Sequence, residues 1–160
     1  MTIYYQYHHF RPGENMSVVR AKDVADYILS KKGSMTAIKL QKLVYYSQAW
    51  HLVWLEKKLF NDKIEAWVNG PVIKSLYDQH RGKFDINKGF FKGDISRLTI
   101  KNREAIDKVL KFYGDKTSQW LIELTHLEDP WINARIGLSD RERGSKEITL
   151  SSMLSYYSSI

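Results

Sequence analysis

His126 stands three residues ahead of Asp129, near enough for the carboxylate to orient the imidazole as a general base. The same pair, followed by Pro130, also fits a helix junction in which the ring bonds the exposed backbone of a cap. That structural role is the expectation adopted. His51 lies beside Trp50 inside a long apolar segment, where a lone imidazole is ordinarily a hydrogen-bonded part of a core. The vicinal His8 and His9 have no further ligand at metal spacing, so no metal is expected. Glu65 is the only acid between Ile64 and Lys74, which leaves a two-carboxylate hydrolase unsupported. No serine sits in a nucleophile elbow. The isolated Gly70, Gly82, Gly89 and Gly93 form neither a dinucleotide fingerprint nor a P-loop. The chain has no cysteine, which excludes disulfides, thiolate catalysis and Cys-ligated zinc or iron–sulfur sites. The expectation is therefore no catalytic residue, no cofactor and no enzyme.

Binding chemistry is better represented. Five Trp, ten Tyr and six Phe can knit a core, and Trp, Tyr and Arg are also the side chains that anchor protein interfaces. The net charge is +7. Ten Lys/Arg against five Asp/Glu between Lys74 and Lys111 place +5 of it in one stretch. A nucleic-acid-binding regulator is the alternative this suggests. The solvated face of a loop and helix is the simpler reading, since only Phe84, Phe90 and Phe91 interleave the loop charges.

The elements that must position these residues read as mostly helical. A first helix spans about 20–32, stopped by Gly33. A central helix, capped by Thr36, spans about 36–57 and is apolar nearly all round, so it should be buried among the others. Ile64–Val68 reads as a short strand, paired with about 148–150 in a small antiparallel element. Pro71 takes the first position of a short third helix reaching His80. Gly82 to Leu98 is a basic loop. Helices follow over about 100–113 and from Thr117 or Ser118 to His126. Asp129 then caps another, which ends at Gly137. Ser151 or Ser152 caps a last turn or two.

At 160 residues the chain suits one domain, mainly α and compact around the central helix. Residues 1–15 are expected to be a poorly ordered extension ahead of a domain over 16–160. They lack the basic and apolar regions of a secretory signal. No apolar run approaches the roughly 18 residues of a membrane span. Cytoplasm and no membrane partner are the expectations.

Lys39-Leu40-Gln41-Lys42-Leu43-Val44-Tyr45-Tyr46-Ser47-Gln48-Ala49-Trp50-His51 resembles the signature of the Panacea-domain family, which includes SocA-like antitoxins and phage-associated GepA-type proteins. Ile64-Glu65-Ala66-Trp67-Val68-Asn69-Gly70-Pro71-Val72-Ile73 with Leu76-Tyr77 forms a second matching block. Leu124-Thr125-His126-Leu127-Glu128-Asp129-Pro130-Trp131 with Ala134-Arg135 forms a third. The resemblance runs from about Val18 to Tyr157. It implies an antitoxin-type protein that binds and neutralises a toxin encoded by an adjacent gene, in some members as an adaptor to a protease or chaperone. Of the motif residues, Leu40, Leu43, Tyr45, Trp50, His51, Gly70, Pro71, His126, Asp129 and Pro130 are expected to be structural. Trp67, Tyr77, Trp131 and Arg135, with Lys88 and Lys92 of the basic stretch, are the expected partner contacts.

Overall fold

The computed structural model describes residues 18–160, so the extension expected over residues 1–15 lies outside the described residues. In order the elements are α1 (Ala21–Lys32), β1 (Met35–Thr36), α2 (Ala37–Leu55), β2 (Ile64–Trp67) and β3 (Gly70–Ile73). Then come α3 (Lys74–His80), β4 (Asp85–Ile86), a 3₁₀ turn (Ile95–Arg97) and α4 (Ile100–Tyr113). The chain closes with α5 (Ser118–His126), α6 (Asp129–Ala134) and α7 (Leu150–Tyr157).

Helix α2 starts where Thr36 Oγ1 accepts from the Lys39 amide at 3.1 Å. It ends at Glu56 in the left-handed conformation. Leu40, Leu43, Val44, Tyr45, Tyr46 and Ala49 are all buried, as the all-round apolar pattern requires. The expected shell of α1, α4 and α5 packs around it. So do β3 and α7. The last helix is thus a full core element rather than a closing turn. It begins at Leu150 under a Thr149 cap, two or three residues earlier than a Ser151 or Ser152 cap would allow.

A helix buried on every side must bury its polar residues too, and each then needs a partner. Gln41, Gln48 and His51 solve this by clamping backbone. Gln48 Nε2 donates to Phe60 O at 2.7 Å, and its Oε1 accepts from the Leu59 amide at 2.6 Å. His51 Nδ1 donates to Lys57 O at 2.6 Å while Nε2 accepts from Asn102 Nδ2 at 2.9 Å. Those two bonds fix a neutral tautomer, and burial accordingly lowers the pKa of the ring. A second buried polar group bonds the same helix from the start of α6. Glu128 Oε1 accepts from Tyr46 Oη at 2.6 Å and Tyr157 Oη at 2.8 Å. Desolvation holds that carboxyl above its usual range.

The β structure differs in detail from expectation. β2 pairs first with its neighbour β3, in register from Ile64 opposite Ile73 to Trp67 opposite Gly70. The C-terminal segment adds to the other edge of β2 at residues 146–148, not 148–150. There Ala66 N donates to Lys146 O and Ile148 N donates to Ile64 O. Pro71 is therefore in a strand, not at a helix start, and α3 begins three residues later. Proline is tolerated on an edge strand because no ladder amide is required of it. The unpaired edge of β3, buried against α2, is satisfied there: Gln41 Oε1 accepts from the Ile73 amide at 2.8 Å and its Nε2 donates to Ile73 O at 3.2 Å. Helix α6 likewise departs from expectation. Its N-cap is Glu128 rather than Asp129, and it ends at Ala134, short of Gly137.

The basic loop is anchored rather than loose. Asp23 and Asp26, buried on α1, accept from the amides of Phe91, Gly93 and Asp94. No helix of the described residues is long and apolar enough to cross a membrane.

Candidate functional site: an aromatic cleft with a buried lysine

A cleft of about 740 Å³ opens between the start of α2, the β2–β3 hairpin and α3. Its floor is α2, with Ala37, Ile38, Gln41 and Lys42. One wall carries Trp67, Val68, Asn69 and Val72 of the hairpin, and Tyr77 and His80 of α3 continue it. The rim is Arg81 to Phe84 on one side and Arg143 to Ser145 on the other. The rim is held in place by backbone. Ala37 N donates to Phe84 O at 2.8 Å, and β1 pairs antiparallel with β4 immediately beyond.

The aromatic wall is ordered by edge-to-face contacts. Trp67 meets Tyr77 at 4.6 Å, Tyr77 meets His80 at 5.5 Å, and His80 meets Phe91 at 6.4 Å. These distances lie within the range in which aromatic pairs attract beyond simple burial. Gln41 Nε2 lies 3.0 Å from His80 Nε2 and donates to it, so that nitrogen is an acceptor and the ring is neutral. Burial lowers the His80 pKa in agreement.

Lys42 is the unusual member of the set. Its side chain is 1% exposed. Its Nζ donates to Pro71 O at 3.1 Å, and no carboxylate lies within ion-pair distance among the described residues. An ammonium has three N–H donors, and two of these have no protein acceptor among the described residues. Desolvation lowers the Lys42 pKa from 10.5 to about 7. Gly70 makes room for it. With φ +110°, a Cβ at Gly70 would stand 2.7 Å from Lys42 Cε and 2.8 Å from Thr125 Oγ1. Gly70 is thus required twice, by its backbone conformation and by close approach.

A family model described as Antitoxin SocA-like, Panacea domain matches residues 40–132. The chain belongs to the SocA-like Panacea family. Antitoxin SocA of Caulobacter vibrioides (strain NA1000 / CB15N) is 30% identical over 129 residues, covering 71% of this chain and 69% of that protein. No solved structure matches the chain.

The Panacea match contains Gln41 and Lys42 of the cleft floor and the whole aromatic wall. Its three sequence blocks meet at the hairpin. Gln41 and Lys42 of the first block hold β3 from below. The third block holds β2 and the turn. Trp131 Nε1 donates to Trp67 O at 2.8 Å, and Arg135 Nη1 donates to Ala66 O at 3.1 Å. His126 stacks on Trp131 with centroids 3.9 Å apart, and Arg135 lies over the other part of that cluster, 5.2 Å from the Trp131 ring. His126 also bonds the Val68 backbone, and burial lowers its pKa. Asp129 is exposed, and no hydrogen bond joins it to His126 among the described residues. The pair sits at a helix junction with the ring directed to the hairpin.

The six expected partner contacts separate into three groups. Trp67 and Tyr77 line the cleft. Lys88 and Lys92 are exposed on the loop that follows β4, away from the cleft lining. Trp131 and Arg135 are 9% and 5% exposed, so they brace the hairpin from beneath rather than present a surface. Leu40, Leu43 and Tyr45 are core, and Pro130 is buried. Trp50 is half-buried and donates to Tyr113 Oη at 3.0 Å. Sequence reading overlooked Gln41, Lys42, His80 and Arg143. The signal for the first two was present. A helix apolar all round leaves no solvent face, so its own Gln and Lys must be buried and partnered. His80 and Arg143 carried no such signal, because only the folded chain brings their loops to one rim.

Proposed function

We propose that this chain is an antitoxin that neutralises a partner toxin protein by direct, non-catalytic binding, with the cleft face as the docking surface. The observation that carries this reading is the cleft itself: the span matching the Panacea model supplies the aromatic wall of an open concavity, and Arg81 and Lys83 with Arg143 from beyond that span give it a basic rim. The name of the 30% identical relative, an antitoxin, supplies the partner class. Concave, aromatic-lined surfaces with a few placed polar groups are suited to recognition. Among the described residues no three His, Cys, Asp or Glu side chains converge in a metal-binding group. A docked partner needs about 800 Å² per side for a standard interface, which the hairpin, α3 and both rims can present without disturbing the core.

The test is co-expression with the product of the adjacent reading frame. Growth should be restored in proportion to the amount of this chain, and the two proteins should co-purify at fixed stoichiometry. Restoration by substoichiometric amounts, without a complex, refutes direct binding. Measuring toxin half-life in the same cells separates simple sequestration from delivery to a protease, since delivery shortens it.

A further inference from the structure

We propose that the cleft takes a partner segment in which a carboxylate stands next to an aromatic or large apolar side chain, the carboxylate meeting Lys42 and the apolar group seating on Trp67 and Tyr77. The proposal rests on the cleft being the docking face and adds the chemistry of what docks.

The argument begins with the cost of the lysine. A side chain 1% exposed, on a helix that could equally have carried an apolar residue, is an expensive way to hold one carbonyl. Gln41, one residue earlier, already clamps the same strand with two bonds. Lys42 therefore has spare donor capacity in the floor of the cleft. Its surroundings select an anion. Among the described residues, the charged side chains lining the opening are Arg81, Lys83 and Arg143, all cationic. The imidazoles that feel its field are His80 and His126, both held neutral by burial. Glu65, the acid nearest in the hairpin, is engaged by Trp67 Nε1 at 3.0 Å. A carboxylate entering here meets no repulsion from the lining residues and supplies the acceptors that the ammonium lacks. The remainder of the lining is apolar or aromatic, so a bare anion leaves most of the cleft unfilled, whereas an aromatic neighbour covers the Trp67–Tyr77 pair. A volume of about 740 Å³ is in the range of sites that enclose a drug-sized group, and it fits a few residues of extended peptide. Because burial lowers the Lys42 pKa to about 7, a docking carboxylate raises it again, and docking takes up a proton.

The probe is 3-phenylpropanoate, with 3-phenylpropanamide as its uncharged control, titrated into the full chain and followed by Trp fluorescence and amide shifts of the hairpin. The carboxylate is expected to bind at least about tenfold more tightly than the amide at pH 6.5, with the preference declining by up to about tenfold per pH unit well above the pKa of the free amine. Lys42→Met should abolish the preference, and Lys42→Arg should retain part of it. Equal binding of acid and amide, or a preference that survives in Lys42→Met, overturns the proposal. With the co-expressed toxin, Lys42→Met should weaken the complex at least about tenfold. If Lys42→Met neutralises fully while a folded Asn69→Arg variant, altered at an exposed position of the cleft lining, does not, the carboxylate chemistry is wrong and the docking face stands. If both neutralise fully, the docking face itself is wrong.

Discussion

Replacing Lys42 by Met should make the isolated protein more stable, and the gain should disappear as pH rises. The substitution keeps an unbranched side chain as far as Cε and removes the buried amine. Burial lowers the Lys42 pKa from 10.5 to about 7, so between those values the unfolded chain holds more protons than the folded one. Stability carried by the wild type therefore rises with pH through that window, and the full penalty is present below pH 7. At about 1.4 kcal/mol per pH unit, the interval corresponds to a ceiling of about 5 kcal/mol. Against this, Met leaves Pro71 O without its donor, which costs about 1–3 kcal/mol for a buried carbonyl. The net expectation is a gain of about 2 kcal/mol at pH 6.5–7, falling by about 1.4 kcal/mol per unit above pH 8 and crossing zero near about pH 9. Urea unfolding of both proteins at half-unit steps from pH 6.5 to 9.5 measures it, because all other titrating groups cancel in the difference. A stability difference that stays flat across this range would show that the folded chain does not deprotonate Lys42, and the reasoning about its burial would fall.

Three further outcomes follow from the same geometry. Gly70→Ala places a Cβ 2.7 Å from Lys42 Cε at φ +110°, so it should cost about 2 kcal/mol or more in denaturant unfolding; a cost under about 0.5 kcal/mol would mean the hairpin turn relaxes freely. Glu128→Ala removes the acceptor of the Tyr46 and Tyr157 hydroxyls and should cost about 3 kcal/mol, whereas Glu128→Gln keeps an acceptor and should cost less than about 1 kcal/mol at pH 7. Because burial raises the Glu128 pKa, the folded state favours the protonated form. The stability of the Glu128 protein relative to Glu128→Gln should therefore rise as pH falls through the raised pKa toward 4.5 and level off below it, which urea unfolding of the two proteins across that range would reveal. Charge reversal at the exposed Lys88 and Lys92 should slow association with the toxin several-fold at low salt and leave dissociation unchanged, as read by stopped-flow mixing at two ionic strengths.

Much of the fold was legible because it depends on local pattern. The starts of α4 and α5 follow from Thr99 and Thr117, whose hydroxyls accept from the third residue on, and the end of α1 follows from Gly33 at φ +82°. The buried central helix followed from residues apolar on every side. The hairpin was harder. Pro71 before an apolar run reads equally as a helix start or an edge strand, and the choice was made by Gln41, thirty-two residues from Ile73, supplying the missing ladder bonds. Trp131 and Arg135 looked like surface anchors because Trp and Arg often are. Burial reverses that role when backbone carbonyls of β2 and the turn lie within reach of their donors.

By itself, the amino-acid sequence determined the helical class, the central position of α2, the absence of cysteine chemistry and the family to which the three blocks point. Periodicity, caps and residue types act within a few residues of each other, and sequence order preserves those distances. Tertiary structure alone decided that Gln41, Lys42, Trp67, Tyr77, His80, Arg81 and Arg143 share one cleft, and that Lys42 sits in its floor without a carboxylate partner among the described residues. Desolvation and the count of unmet donors depend on everything packed around an atom, and the groups that set them here are spread over a hundred residues of chain.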